Sequence, residues 1–238
     1  MRNALARFDR VAFENDAAEE RARKRLLNAA KKHGIVPVGF VTGQLRRAKA
    51  RSTGVDGLPT GLVTFLLTDM ENSTALLERL DDRFSALRDD VQGIIRRAVT
   101  GAGGREVDAR ADEFFAVFER TASAIEAAVA IQRALGERAW PDGLECRVRV
   151  GIHSGSARLT DTGYVGLSVH AAARVSSSAH GGQIVVSGEA KRALEESLPK
   201  GVRLTNLGRH RLRGLSRSHA LFQVEAVGLA NGFPPPRT

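Results

Sequence analysis

The chain has 238 residues, 42% of them hydrophobic, enough for one large domain or one domain with an appendage. No apolar run approaches the roughly 18 residues of a membrane span. The charged N-terminus (Arg2, Arg7, Asp9, Arg10) lacks the apolar centre of a signal peptide, and the single cysteine, Cys146, excludes an internal disulfide, so a cytoplasmic protein is the default expectation. The net charge of +9 is unevenly placed: residues 1–53 hold 13 Lys/Arg and 5 Asp/Glu, a net of +8. The remainder is nearly neutral, and nucleic acid is not an expected partner.

Residues from about Glu14 to Lys32 form a predicted helix that His33-Gly34 stops. A short apolar stretch, Ile35 to Gly43, follows, then Arg46, Arg47, Lys49 and Arg51. Thr53 to Pro59 reads as a linker. This segment reads either as a solvated helix with a mobile linker or as a basic arm for anionic partners or dimerisation.

Leu62 to Leu67 is β-branched or apolar and reads as a buried strand, with Asp69 at its end. Asn72, Ser73 and Thr74 are helix-start residues. A carboxylate and a row of helix N-terminal amides at one point suit a metal ion carrying a phosphate. The same stretch also reads as a strand–turn–helix corner with Asp69 as a simple cap, and both readings stay open. Apolar positions from Leu76 to Ala98 recur every three or four residues, marking an amphipathic helix with a break near Asp81-Asp82, ended by Gly101-Ala-Gly-Gly.

Arg105–Ala109 and Glu113–Glu119 are predicted strands, with Asp112 in the turn between them. Thr121 is expected to cap a helix through Leu135, Cys146 to His153 to form a strand, and Val165 to Ala179 to contain a helix. Gln183 to Ser187 is a further strand, Ser187 caps a short helix to Glu196, and Arg203 to Val224 holds the last strands. The Asn231 to Thr238 tail, with three prolines, is expected to be disordered. Hairpins mixed with crossover helices predict an α+β sandwich containing a ferredoxin-like β-α-β-β-α-β unit.

If their strands are neighbours, Asp69 and Asp112 could share divalent metal ions. Arg174 and Arg213 are candidate cations for metal-bound phosphates, although a lone arginine is more often just solvated or ion-paired. His153 is assigned to structure, and Cys146 to the core as a small apolar residue.

Four blocks, in order, resemble the catalytic domain of class III nucleotidyl cyclases, the adenylate and guanylate cyclase family. They are Thr64-Phe-Leu-Leu-Thr-Asp-Met-Glu-Asn-Ser-Thr; Gly104-Arg-Glu-Val with Ala111-Asp-Glu-Phe-Phe-Ala-Val-Phe; Val148-Arg-Val-Gly-Ile-His-Ser-Gly; and Tyr164-Val-Gly-Leu-Ser-Val-His-Ala-Ala-Ala-Arg-Val running into His180-Gly-Gly-Gln-Ile-Val-Val-Ser. The resemblance implies a basic N-terminal extension and linker over residues 1–59, a cyclase domain over 60–225 and a tail over 226–238. It implies a head-to-tail homodimer with sites between subunits. There the ribose 3′-hydroxyl of ATP, or of GTP, attacks the α-phosphate and releases pyrophosphate. Two divalent ions, Mg²⁺ or Mn²⁺, would be held by Asp69, Asp112 and the Met70 carbonyl. Arg174 matches the transition-state arginine, and Arg213 matches a polyphosphate contact less closely.

Three positions depart from the family pattern. The purine-reading lysine falls on Asp108, its usual aspartate partner on Gly163, and the ribose-orienting asparagine on His170. An ionised Asp108 only accepts hydrogen bonds, which leans towards guanine. Gly163 reads nothing. His170 can still donate one hydrogen bond when neutral, and its charge changes near pH ~6.5 if unperturbed. Ala111 stands where the family usually has glycine, and if that backbone needs a positive φ, alanine costs about 1 kcal/mol or more. The leading expectation is an active cyclase with altered base selection. The alternative is a catalytically degenerate homologue that binds nucleotide or serves in a heterodimer or regulatory module.

Overall fold

The computed structural model describes residues 57–160, 163–194 and 198–238. The predicted basic helix and the Ile35–Gly43 stretch lie outside the described residues. Residues 57–159 and 164–238 fall in one compact unit.

Strand β1 (Leu62–Met70) is followed by helix α1 (Ser73–Leu80), a 3₁₀ turn and helix α2 (Phe84–Gly101). The break falls where two adjacent aspartates predicted it, with Asp81 in the left-handed region at φ 48. Strands β2 (Arg105–Arg110) and β3 (Glu113–Phe118) form a hairpin, and helix α3 (Thr121–Glu137) leads to β4 (Val148–Ser156). Two short strands, β5 (Arg158–Thr160) and β6 (Gly163–Val165), were not expected and form a separate ribbon. Helix α4 (Leu167–Ser178), β7 (Ile184–Ser187), α5 (Gly188–Arg192), β8 (Val202–His210) and β9 (His219–Ala226) complete the order.

The main sheet has seven strands in the order β2-β3-β1-β4-β7-β9-β8. β1 lies antiparallel to both β3 and β4, and β4 pairs with β7 in parallel. The first four strands with their two helical crossovers make the expected β-α-β-β-α-β unit. Alternation along β1 divides the core. Leu66 and Met70 join the α2–α3 side, with Ile95, Ile125 and Ile131, whereas Val63 and Phe65 pack with Phe115, Tyr164, Val169 and Ala172 on the α4 side. Helix α4 sits close against β4: a Cβ at Gly151 would overlap the backbone of Ser176. The Ser176 hydroxyl donates to the Leu67 carbonyl at 3.2 Å.

Several local expectations change. Thr121 is the first residue of α3, not its cap; its hydroxyl is buried against those of Thr64 and Ser154 at 2.9 and 3.1 Å, because a buried hydroxyl needs partners. Cys146 precedes β4 and lies in the core, where burial pushes its thiol up to about 11. The expected short helix after β7 does form, and the Ser187 hydroxyl accepts from the Ala190 amide at 3.1 Å. The tail has no helix or strand, yet it makes specific contacts. The Arg237 amide donates to the Ser178 carbonyl at 2.9 Å, the His180 Nε2 bonds the Pro235 carbonyl at 3.0 Å, and Phe233 stacks on His180. Composition signalled disorder; partners distant in sequence supply the ordering. Among the described residues no helix is long and apolar enough to cross a membrane.

His153 is buried on β4, with Nδ1 2.9 Å from the Ser187 hydroxyl. Burial lowers its pKa to about 4, opposed by Glu189 and reinforced by His219. A folded-state value below the ordinary 6.5 means that the unfolded chain takes up this proton first. The stabilising contribution is therefore complete above pH 6.5 and is lost as pH falls through about 4. Urea unfolding of the wild type and His153→Asn at pH 7 and pH 5 should show a loss steeper in the wild type by about 1 kcal/mol per pH unit.

Candidate active site

The pairing of β1 with β3 and β4 builds one corner of the site. Asp69 stands directly across from Glu113 on β3 and from Arg149 on β4. Its Oδ2 accepts from Arg149 Nη1 at 2.6 Å. The Met70 amide donates to the Asp112 carbonyl at 3.1 Å, tying the end of β1 to the β2–β3 turn. The strands bearing Asp69 and Asp112 are therefore neighbours, as a shared site requires.

Asp112 is oriented from below and behind. Its Oδ2 accepts from the Ser73 hydroxyl, and the preceding Ala111 carbonyl accepts from Gln92 Nε2 at 3.1 Å. Ala111 has φ 48, a left-handed conformation that glycine adopts without strain. Asn72 takes φ 54 and makes no side-chain cap on α1, while Ser73 is committed to Asp112 rather than to capping. Thr74 follows it in the first turn of this short helix.

The donor set at this corner fits a hard divalent cation. Two carboxylates and the Met70 carbonyl are all oxygen ligands, the type that Mg²⁺ and Mn²⁺ prefer. Asp69 already pairs with the cationic guanidinium of Arg149, so its position accommodates a positive charge. Among the described residues no group of three or more His, Cys, Asp or Glu side chains is placed to hold a metal, so any ion here would depend on the two aspartates and the backbone.

A second group is positively charged. His170 and Arg174 lie one turn apart on α4, and Arg213 lies between β8 and β9. Arg174 is largely buried; burial and then the charge of Arg213 lower its pKa. His170 is lowered by burial and by Arg174, which favours neutral imidazole at neutral pH. Like charges held this close raise one another's electrostatic cost, and a bound anion relieves it.

Asp108 lies on the edge strand β2, just after a bulge between Glu106 and Asp108 that sets it opposite Phe115. Its Oδ1 accepts from Arg110 Nε at 2.9 Å. Burial raises its pKa, and Arg110 opposes the rise. One acceptor expected for a base is thus already engaged. Gly163 opens β6 at φ 108; its carbonyl accepts from the Thr160 hydroxyl at 2.9 Å.

Sequence reasoning missed Arg149, Glu71 and Arg110. Arg149 and Glu71 lie within blocks already quoted, but their significance depends on which residues stand across the sheet. Arg110 follows Asp108 by two residues but falls in the predicted turn; the observed strand extends to Arg110, which puts the two on one face.

The family model for the adenylate and guanylate cyclase catalytic domain matches residues 56–226. The chain therefore belongs to that family, whose fold and cyclase class it shares. An uncharacterised protein of Mycobacterium tuberculosis is 35% identical over 182 residues, 76% of this chain; the match spans 61% of that relative's length. An adenylate cyclase of Podospora anserina is 31% identical over 198 residues, covering 66% of this chain and 9% of that protein. The solved structure of a Trypanosoma brucei adenylate cyclase in its monomeric state superposes with a TM-score of 0.68 at 25% identity, covering 79% of this chain and 99% of that one.

Replacing Ala111 by glycine tests the strain at the turn. Ala111→Gly should raise the urea-unfolding free energy by about 0.5–1 kcal/mol, the left-handed penalty less glycine's added chain entropy. Most other Ala→Gly changes are destabilising.

Proposed function

We propose that this chain is a nucleotidyl cyclase that converts ATP, or alternatively GTP, to the 3′,5′-cyclic nucleotide and pyrophosphate, for cyclic-nucleotide signalling. The observation that carries the reading is the convergence of Asp69 and Asp112 at the end of the β1–β3 pair. The family's solved members and the cationic group on α4 support it further.

In this reading the ribose 3′-oxygen forms a bond to the α-phosphorus and gives up its proton to solvent water. The bond from that phosphorus to the bridging oxygen breaks, and pyrophosphate leaves with the electron pair. Asp69, Asp112 and the Met70 carbonyl would hold two divalent ions, Mg²⁺ or Mn²⁺. Those ions would lower the hydroxyl's pKa and offset phosphate charge. Ser73 keeps Asp112 turned towards the site. Arg174 stabilises charge that grows on the α-phosphate oxygens, and neutral His170 donates to the ribose. Arg213 and the amides of Asn72, Ser73 and Thr74 face the polyphosphate. Asp108 and Gly163 flank the base. A head-to-tail homodimer would bring the aspartate corner of one protomer to the α4 group of its partner.

A second reading, a degenerate homologue that binds nucleotide or pairs with another chain, is favoured by one observation: Arg110 already engages Asp108. It predicts nucleotide affinity without turnover.

A cyclase assay with Mn²⁺ or Mg²⁺, comparing ATP with GTP, separates the two. Activity should fall by about 10²-fold or more in Asp69→Ala, Asp112→Ala and Arg174→Ala. Mixing Asp69→Ala with Arg174→Ala chains should recover about a quarter of wild-type turnover, because half the random dimers hold one intact site of two. Absence of product from a folded wild-type dimer would overturn the catalytic reading, and absence of recovery would overturn the shared homodimer site.

A further inference from the structure

Glu71 lies two residues beyond Asp69 and is bound on both sides. Its Oε1 accepts from the Gly181 amide at 3.0 Å and lies 3.8 Å from Arg149 Nη2. The other terminal nitrogen of Arg149, Nη1, is 2.6 Å from Asp69 Oδ2. Arg149 Nε is buried without a hydrogen-bond partner, so the orientation of the guanidinium is set chiefly by these two carboxylates.

The anchor on Gly181 is itself fixed. The Gly182 amide donates to the Val148 carbonyl at 2.9 Å, and the Gln183 amide to the His180 carbonyl at 2.9 Å. The tail stacks Phe233 on His180. A Cβ at Gly181 would overlap the Glu71 carboxylate, so the close approach requires glycine there. The contact thus joins the aspartate corner to the loop that ends α4.

We infer that Glu71 is a positioning residue: anchored on the Gly181 amide, it holds the Arg149 guanidinium so that only one nitrogen bears on Asp69. Without that hold, Arg149 turns both nitrogens onto the Asp69 carboxylate, the bidentate geometry that arginine favours, and competes with a divalent cation for the same oxygens. The inference rests on the proposal that Asp69 holds a metal.

The test is Mn²⁺ binding to the full chain, followed by electron paramagnetic resonance of free Mn²⁺, which needs no turnover. Glu71→Asp keeps the charge but is one methylene too short to reach both partners. Gly181→Ala keeps every charge and displaces the carboxylate. Each should weaken Mn²⁺ binding about five-fold, the scale of one partly exposed ion pair, and the double variant should be no weaker than the weaker single. Circular dichroism establishes folding, and Glu71→Asp alone decides the matter if Gly181→Ala does not fold. Mn²⁺ binding that Asp69→Ala abolishes but Glu71→Asp leaves unchanged would overturn the inference and leave the metal reading standing. Wild-type binding that does not depend on Asp69 would overturn the metal reading and this inference with it.

Discussion

Strand β1 is hydrogen-bonded on both sides, and the site depends on that double pairing. Its register sets Arg110, Glu113, Asp69 and Arg149 in one row across four strands. Two carboxylates side by side in such a row repel. The 2.6 Å pair with Arg149 offsets part of that repulsion. A one-residue slip of β1 would turn Asp69 to the opposite face, into the space against α2 and α3 that Leu66 and Met70 fill. The apolar alternation that fills both cores is thus also what aims the carboxylate.

The two charged groups are held by different means. The acidic corner is fixed by backbone: strand register, the Met70–Asp112 hydrogen bond and the strained turn at Ala111. The cationic group is fixed by packing. Val169, Ala172 and Val175 bury one side of α4, and Gly151 lets the helix approach the sheet closely enough to hold its register. His170 and Arg174 follow because they lie one turn apart. Burial and the nearby charge of Arg213 make the Arg174 cation costly, a cost that an anionic ligand would offset.

The departures from the family pattern fall where local structure carries a cost. Ala111 occupies a left-handed position, and the cost sits in the turn that carries Asp112. Asp108 follows a bulge on an edge strand and is paired with Arg110. Asp69, Asp112 and Arg174, by contrast, keep the residue types that the family resemblance leads one to expect.

By itself the sequence determined the order and type of the main-sheet strands and the helices between them, because hydrophobic periods, turn residues and the paired aspartates near Asp81 are local signals. It also determined the family, because four blocks keep their residues and spacing. It singled out Asp69, Asp112 and Arg174 as candidates from those blocks. Only the tertiary structure decided what each touches. Arg149 is eighty residues from Asp69, Gly181 more than a hundred from Glu71, and Pro235 of the tail is 55 from His180. The β5–β6 ribbon, the inward hydroxyl of Thr121 and the Asp108–Arg110 pair likewise went unread. Periodicity reports which face of an element is buried; strand register and long-range packing choose the partners, and no local pattern encodes that choice.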